Sequence, residues 1–160
     1  MMTCILGINA FHGDASAALV IDGQLVAAVE EERFNRIKHW AGFPAESIRW
    51  CLSHAGLTGS DVDHVAISFD PRANFFKRIG FVLKHRPSFG AILDRLKRQG
   101  KTLGLEAMFA DAVGLERGSL RAKFHRIEHH QTHVAAGFLI SPYEESAVLS
   151  VDGEYGGFFV

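Results

Sequence analysis

The sequence predicts an α/β fold. Three observations carry this: apolar runs at residues 3–9, 15–21 and 24–29 joined by short links, a helical apolar pattern after Pro44, and a further apolar run at residues 62–69. Asp22-Gly23 between the second and third runs is a tight-hairpin signal. Residues 10–14 are also short enough to close a hairpin, so the N-terminus is expected to form an antiparallel meander. Glu30-Glu31-Glu32-Arg33 then leaves the sheet, and residues 34–43 form a polar, aromatic stretch without periodicity, expected as a loop. The acids there are expected to pair with neighbouring cations at the surface, an arrangement worth little to stability.

Pro44 suits the opening of a helix. Ile48, Cys51, Leu52 and Ala55 recur at helical spacing, and Gly56 ends the pattern. Between residues 72 and 122 the composition changes, with Lys77, Arg78, Lys84, Arg86, Arg95 and Lys97 alternating with apolar residues. This reads as a helical insertion whose basic amphipathic pattern could serve a membrane surface or an anionic partner, the simpler reading being a solvated face over a small local core. The chain thus divides at 1–71, 72–122 and 123–160. In the last part residues 123–127 and 147–151 are expected as strands and 132–139 as a helix, with Ser141-Pro142 between helix and strand.

The 160 residues, 48% of them hydrophobic, can form one domain or part of one. A formal net charge of -1 gives no global electrostatic reason to bind nucleic acid or an anionic membrane. The two cysteines, Cys4 and Cys51, lie far apart in apolar contexts and read as buried thiols of a reducing compartment. The start has no basic region followed by a long apolar one, and no run has the length of a membrane span, so a cytoplasmic protein is expected.

The residues suited to chemistry fall in a few places. His129 and His133 are one helical turn apart, close enough for both imidazoles to reach one ion, although spacing alone leaves a metal pair and a polar helix start both open. The glutamate that a zinc protease places beside its first ligand is absent, since Gln131 and Thr132 follow His130. Asn9, His12, Asp14 and Ser16 cluster at the first link, where Gly7 and Gly13 allow close approach of a ligand and Asp14 is placed to orient His12 as a general base. Arg33, Arg36, Lys38 and His39 can meet phosphate or a carbamoyl oxygen, or can simply be solvated. Asp152-Gly153 has the form of a phosphate-approach turn.

The segments Gly7-Ile8-Asn9-Ala10-Phe11-His12-Gly13-Asp14-Ala15-Ser16, Glu30-Glu31-Glu32-Arg33-Phe34, Arg36-Ile37-Lys38-His39-Trp40-Ala41-Gly42-Phe43-Pro44, His129-His130-Gln131-Thr132-His133 and Ser141-Pro142-Tyr143 together resemble the NodU/CmcH-type O-carbamoyltransferases. The resemblance implies the first subdomain of an actin-like ATPase (ribonuclease H-like) fold, with a mixed sheet, helices and a helical insertion, the second subdomain falling outside this chain. It also implies transfer of a carbamoyl group from carbamoyl-adenylate, itself made from carbamoyl phosphate and ATP, to a hydroxyl of a small molecule in natural-product biosynthesis. His12 would sit at the reacting carbamoyl. His129 and His133 would hold a divalent metal of the iron type. Asp14, Lys38 and His130 would be pocket residues, and Asp152 and Gly153 a nucleotide-facing turn. The family's third metal ligand would lie beyond residue 160, so the chain alone is expected to be inactive, with the missing half as partner. A non-catalytic module that pairs with a separate chain is the alternative.

Overall fold

In a computed structural model of the chain, residues 2–70 and 104–150 are described. The three N-terminal apolar runs form β1 (Cys4–Asn9), β2 (Ser16–Ile21) and β3 (Gln24–Glu30), antiparallel in sequence order, as the hairpin signals predict. Asp22 and Gly23 both take positive φ, which is what a two-residue turn between twisted strands requires. β4 (His64–Ile67) adds parallel to β1, and β5 (Lys123–Arg126) adds parallel to β4. The result is a mixed five-stranded sheet in the order β3-β2-β1-β4-β5.

Alternation along the strands decides which face is buried. Cys4, Leu6 and Ile8 of β1, Leu19 of β2, and Val65 and Ile67 of β4 all point into one core. The helix after Pro44, α2 (Ala45–His54), covers that face with Ile48, Cys51 and Leu52. Its end matches the sequence signal, because Gly56 takes φ +67° there. A second cover is α3 (Leu105–Val113), whose Leu105 and Phe109 are fully buried in the same core; Phe109 meets Phe124 of β5 edge-on at 5.7 Å between ring centroids. Arg49 of α2 donates to the Ala112 carbonyl at 2.9 Å, joining the two covering helices. The insertion's basic stretch upstream of residue 104 lies outside the described residues.

The segment expected as a loop after β3 begins instead as a short helix, α1 (Glu32–Asn35). Within it the three glutamates separate. Arg33 pairs with Glu30 at 3.5 Å and Glu32 at 3.8 Å on the surface as expected, but Glu31 is buried. Its carboxylate accepts the backbone N–H of Glu46 at 3.1 Å and of Ser47 at 2.8 Å, and the Ser47 hydroxyl at 2.7 Å. Pro44 offers no side-chain cap, so Glu31 supplies from a distance the acceptor that the unpaired donors at the start of α2 need.

The expected strand at residues 147–151 does not form among the described residues, 147–150. This run lies instead beside α4 (His129–Leu139), the last helix among the described residues. Ser150 Oγ lies 3.2 Å from His130 Nδ1, and Val148 packs at Gly137. Residue 151 and the Asp152-Gly153 turn lie outside the described residues. No helix among the described residues is long and apolar enough to cross a membrane.

Cys4 and Cys51 are both free and buried. Burial pushes the Cys51 thiol up to about 11 and, with help from the nearby Asp63 and Asp61 charges, raises Cys4 as well. Thiolate is the reactive form, so at pH 8 neither cysteine of the folded chain should be alkylated by iodoacetamide, whereas both should react in denaturant; mass spectrometry of the adducts reads this. Glu31→Ala should cost about 2 kcal/mol, the scale of stranding buried donors, and lower the denaturant midpoint accordingly.

Candidate functional site

The second face of the sheet carries an open groove of about 800 Å³. Its floor follows from the strand register. Ala28 pairs with Ala18, Ala18 with Gly7, Gly7 with Ala66, and all four line the groove. Two residues further along the same strands, and therefore on the same face, come Glu30, Ser16 and Asn9 in register, with Ser68 beyond the end of β4. A smooth apolar floor thus ends in a polar rim at the C-terminal ends of β1 and β4. Arg33 enters the lining from α1, and His129, Thr132, His133 and Ala136 enter it from α4.

At the rim, the β1–β2 link is fastened from two sides. Asn9 Nδ2 donates to the Gly13 and Asp14 carbonyls at 3.4 and 3.1 Å, and the Ser68 hydroxyl donates to Asn9 Oδ1 at 3.2 Å. The segment before α2 supplies the other side. Phe11 N–H donates to the Gly42 carbonyl at 3.2 Å, Ala15 N–H to the Trp40 carbonyl at 2.9 Å, and Phe11 and Phe43 pack at 6.5 Å between ring centroids. Phe11, Asp14 and His39 all adopt positive φ, an unfavoured backbone state for non-glycine residues that neighbouring contacts must hold.

His12 projects from this fastened turn and is half-buried. Its ring stacks on His129 at 5.7 Å and 30° and lies 6.1 Å from the Phe69 ring. α4 starts at His129, three residues earlier than the sequence pattern suggests, because Glu128 caps it by accepting the Gln131 N–H at 3.0 Å. That extension puts His129 and His133 on one helical face, their Nε2 atoms 3.1 Å apart and their rings at 86°. The sequence-predicted His12, His129 and His133 therefore converge at the groove rim.

The remaining expected site residues are placed differently. Asp14 is not set to orient His12 as anticipated: its Oδ1 lies 2.9 Å from His39 Nδ1, both side chains largely exposed. The left-handed backbone at Asp14 turns its carboxylate toward the 36–44 segment. Lys38 is exposed in that segment's turn. His130, next to His129 in sequence, has its ring at 75° to that of His129 and reaches Ser150. No third His, Cys, Asp or Glu joins His129 and His133 among the described residues in a grouping able to hold a metal. The two convergent imidazole nitrogens are the donor type that suits iron, zinc, copper or nickel, so the pair fits the metal-binding half of such a site.

Sequence reasoning missed Ser68, Thr132 and the small-residue floor. Register is what assembles them, and only the Ala/Gly content of the strands hinted at it.

The carbamoyltransferase N-terminus family model matches residues 4–159, and the chain belongs to that family. The chain is 37% identical over 151 residues to the nodulation protein NolNO of Sinorhizobium fredii, covering 94% of this chain and 21% of that protein. It is also 40% identical over 162 residues to an uncharacterized protein, sll1178, of Synechocystis sp., covering 95% of this chain and 26% of that one. The chain thus spans about a quarter of the length of these relatives. Among solved structures, YeaZ from Pseudomonas aeruginosa is similar at a TM-score of 0.42 and 15% identity, over 85% of this chain and 49% of that one, too distant a likeness to carry an argument.

A Cβ at Gly42 would lie 2.6 Å from the Trp40 indole. Gly42→Ala should therefore displace the 39–42 brace and with it the His12 turn, visible as shifts in the Phe11, His12 and Ala15 amide resonances while those of α3 stay in place.

Proposed function

We propose that this chain forms the first part of an O-carbamoyltransferase acting on a small-molecule alcohol in natural-product biosynthesis, with carbamoyl-adenylate as donor. The observation that supports this best is the convergence of His12, His129 and His133 at the polar end of a groove large enough for a nucleotide. Membership of the carbamoyltransferase family supplies the reaction class. On this reading the fold is the first subdomain of the actin-like type, and the enzyme is cytoplasmic.

In the transfer, the acceptor oxygen forms a bond to the carbamoyl carbon, and the bond from that carbon to the phosphate oxygen of AMP breaks. The acceptor proton goes to the neutral imidazole of His12, whose turn is fastened by Asn9 and by the 40–42 backbone. His129 and His133 would hold a divalent iron-type metal, which when bound supplies Lewis-acid polarisation. Arg33 lines the groove beside Glu30 and would exchange its ion pairs with Glu30 and Glu32 for a phosphate, with Ser16, Ser68 and Thr132 as hydroxyl partners for sugar or phosphate oxygens. In this reading Lys38, Asp14 and His130 would be further pocket residues, and Asp152 and Gly153 a nucleotide-facing turn.

A second reading, a non-catalytic module that pairs with a separate chain, draws on the exposure of Leu139, Ile140 and Leu149, each at least 75% accessible. Both readings require further protein against this surface.

A sulfamate analogue of carbamoyl-adenylate should bind the chain and perturb the His12, Arg33 and Ser68 resonances. Arg33→Ala should weaken it about tenfold or more, the scale of one charge-assisted contact. Absence of binding, or binding indifferent to Arg33→Ala, would count against the nucleotide groove. Fe²⁺ uptake should fall in His129→Ala and His133→Ala and change less in His130→Ala, read by metal analysis after anaerobic dialysis. Equal uptake in all three would remove the metal assignment.

A further inference from the structure

The geometry points to a second bis-imidazole site, formed by His64 and His125, that takes a borderline divalent ion of the zinc, copper or nickel type and staples the edge strand β5 to β4. It uses neither the groove-rim histidines nor the carbamoyl chemistry, so it stands whether or not that function holds.

Register brings the pair together. His125 is opposite Ala66, and His64 is two residues before Ala66 on the same strand, so both side chains leave the same face of the sheet. Their rings are 5.0 Å apart between centroids, with His64 Nδ1 and His125 Nε2 separated by 2.9 Å. The nitrogens that face each other are thus one from each ring, and one donates its proton to the other; an ion would replace that proton and leave His64 Nε2 and His125 Nδ1 as the N–H groups of the two ligands. Two nitrogens on one tetrahedral ion, with bonds of about 2.0–2.1 Å, stand about 3.3 Å apart. The present separation is a few tenths of an ångström short of that value, and rotation of the two rings would aim both nitrogens at one ion. The spacing is close to that of His129 and His133, whose facing nitrogens are 3.1 Å apart.

Exposure favours an ion over a purely structural role. His125 is exposed and His64 half-buried, so an ion can enter with its waters. Among the described residues no third His, Cys, Asp or Glu completes the set, so water fills the other positions. Such a site selects ions with a strong preference for imidazole and leaves Mg²⁺ and Ca²⁺ unbound. Lys123, paired in register with His64 and two residues before His125, is the β5 cation on the same face and keeps the affinity modest.

The consequence lies in β5. Among the described residues this four-residue strand has a sheet neighbour on one side only, and it runs through Ile127 and Glu128 into α4, which carries His129 and His133. An ion held by one residue of each strand opposes the separation of β5 from β4 and so steadies the root of α4. An ion that binds only the paired state shifts the opening equilibrium by one plus the ratio of its concentration to Kd.

The test uses Zn²⁺ with the full chain carrying His129→Ala and His133→Ala, which removes the other pair. This protein should bind one equivalent of Zn²⁺. At zinc ten times Kd, hydrogen exchange of the Ile127 amide, which donates to the Ile67 carbonyl across the β4–β5 seam, should slow about tenfold. Adding His125→Gln, an exposed edge-strand change, should abolish both effects, and adding His64→Gln should do the same. No zinc uptake by the double variant overturns the site, as does uptake unchanged by His125→Gln. Uptake without slower Ile127 exchange overturns the staple. If His64→Gln does not fold, His125→Gln alone decides.

Discussion

The carboxylate of Glu31 joins the end of the meander to the start of the helix that covers it. Its two oxygens take the backbone N–H groups of Glu46 and Ser47 and the Ser47 hydroxyl in a buried position, while its own backbone N–H donates to the Ala15 carbonyl at 2.8 Å. One residue therefore fixes the relation of β3, the β1–β2 link and α2. A buried carboxylate is tolerated because each donor around it is otherwise unsatisfied, and their hydrogen bonds replace its lost hydration. The intervening segment from Arg36 to Pro44 is held at both ends by this junction, and its backbone carbonyls at Trp40 and Gly42 in turn brace the turn that bears His12. The placement of the candidate base thus depends on a residue that does not itself line the groove.

Much of the fold is legible because its signals are local. Strand alternation at Cys4, Leu6 and Ile8, the Asp22-Gly23 turn, and the Ile48, Cys51, Leu52 spacing ended by Gly56 each depend on residues within a few positions of one another. What the sequence withholds is long-range. Nothing in Glu30-Glu31-Glu32 distinguishes the middle acid, because its partners lie on α2, 15 and 16 residues away. The apolar run before residue 151 has the composition of a strand yet lies along α4, a contact with residues such as His130, 20 positions away from Ser150, that its own composition does not encode. The parallel placement of β4 and β5 beside β1 is likewise invisible to local pattern.

The candidate site divides in the same way. His129 and His133 are legible from four-residue spacing, and His12 from its turn, but their meeting depends on β1, β4 and α4 being brought to one end of the sheet. Asp14 shows how a local argument fails: it is two residues from His12, yet its left-handed backbone delivers the carboxylate to His39. The groove floor and the His64–His125 pair are pure products of register, in which residues far apart in sequence become lateral neighbours.

The central claim is that the hairpin turn and the head of α4 meet, so that His12 faces the histidine pair. Nuclear Overhauser contacts between imidazole ring protons test it most directly, on protein with labelled histidine. With ring centroids of His12 and His129 at 5.7 Å and of His129 and His133 at 4.5 Å, cross-peaks should connect His12 to His129 and His129 to His133. A spectrum that links His129 to His133 but shows His12 in contact with neither would contradict the account, because α4 would then have formed without meeting the turn that bears His12.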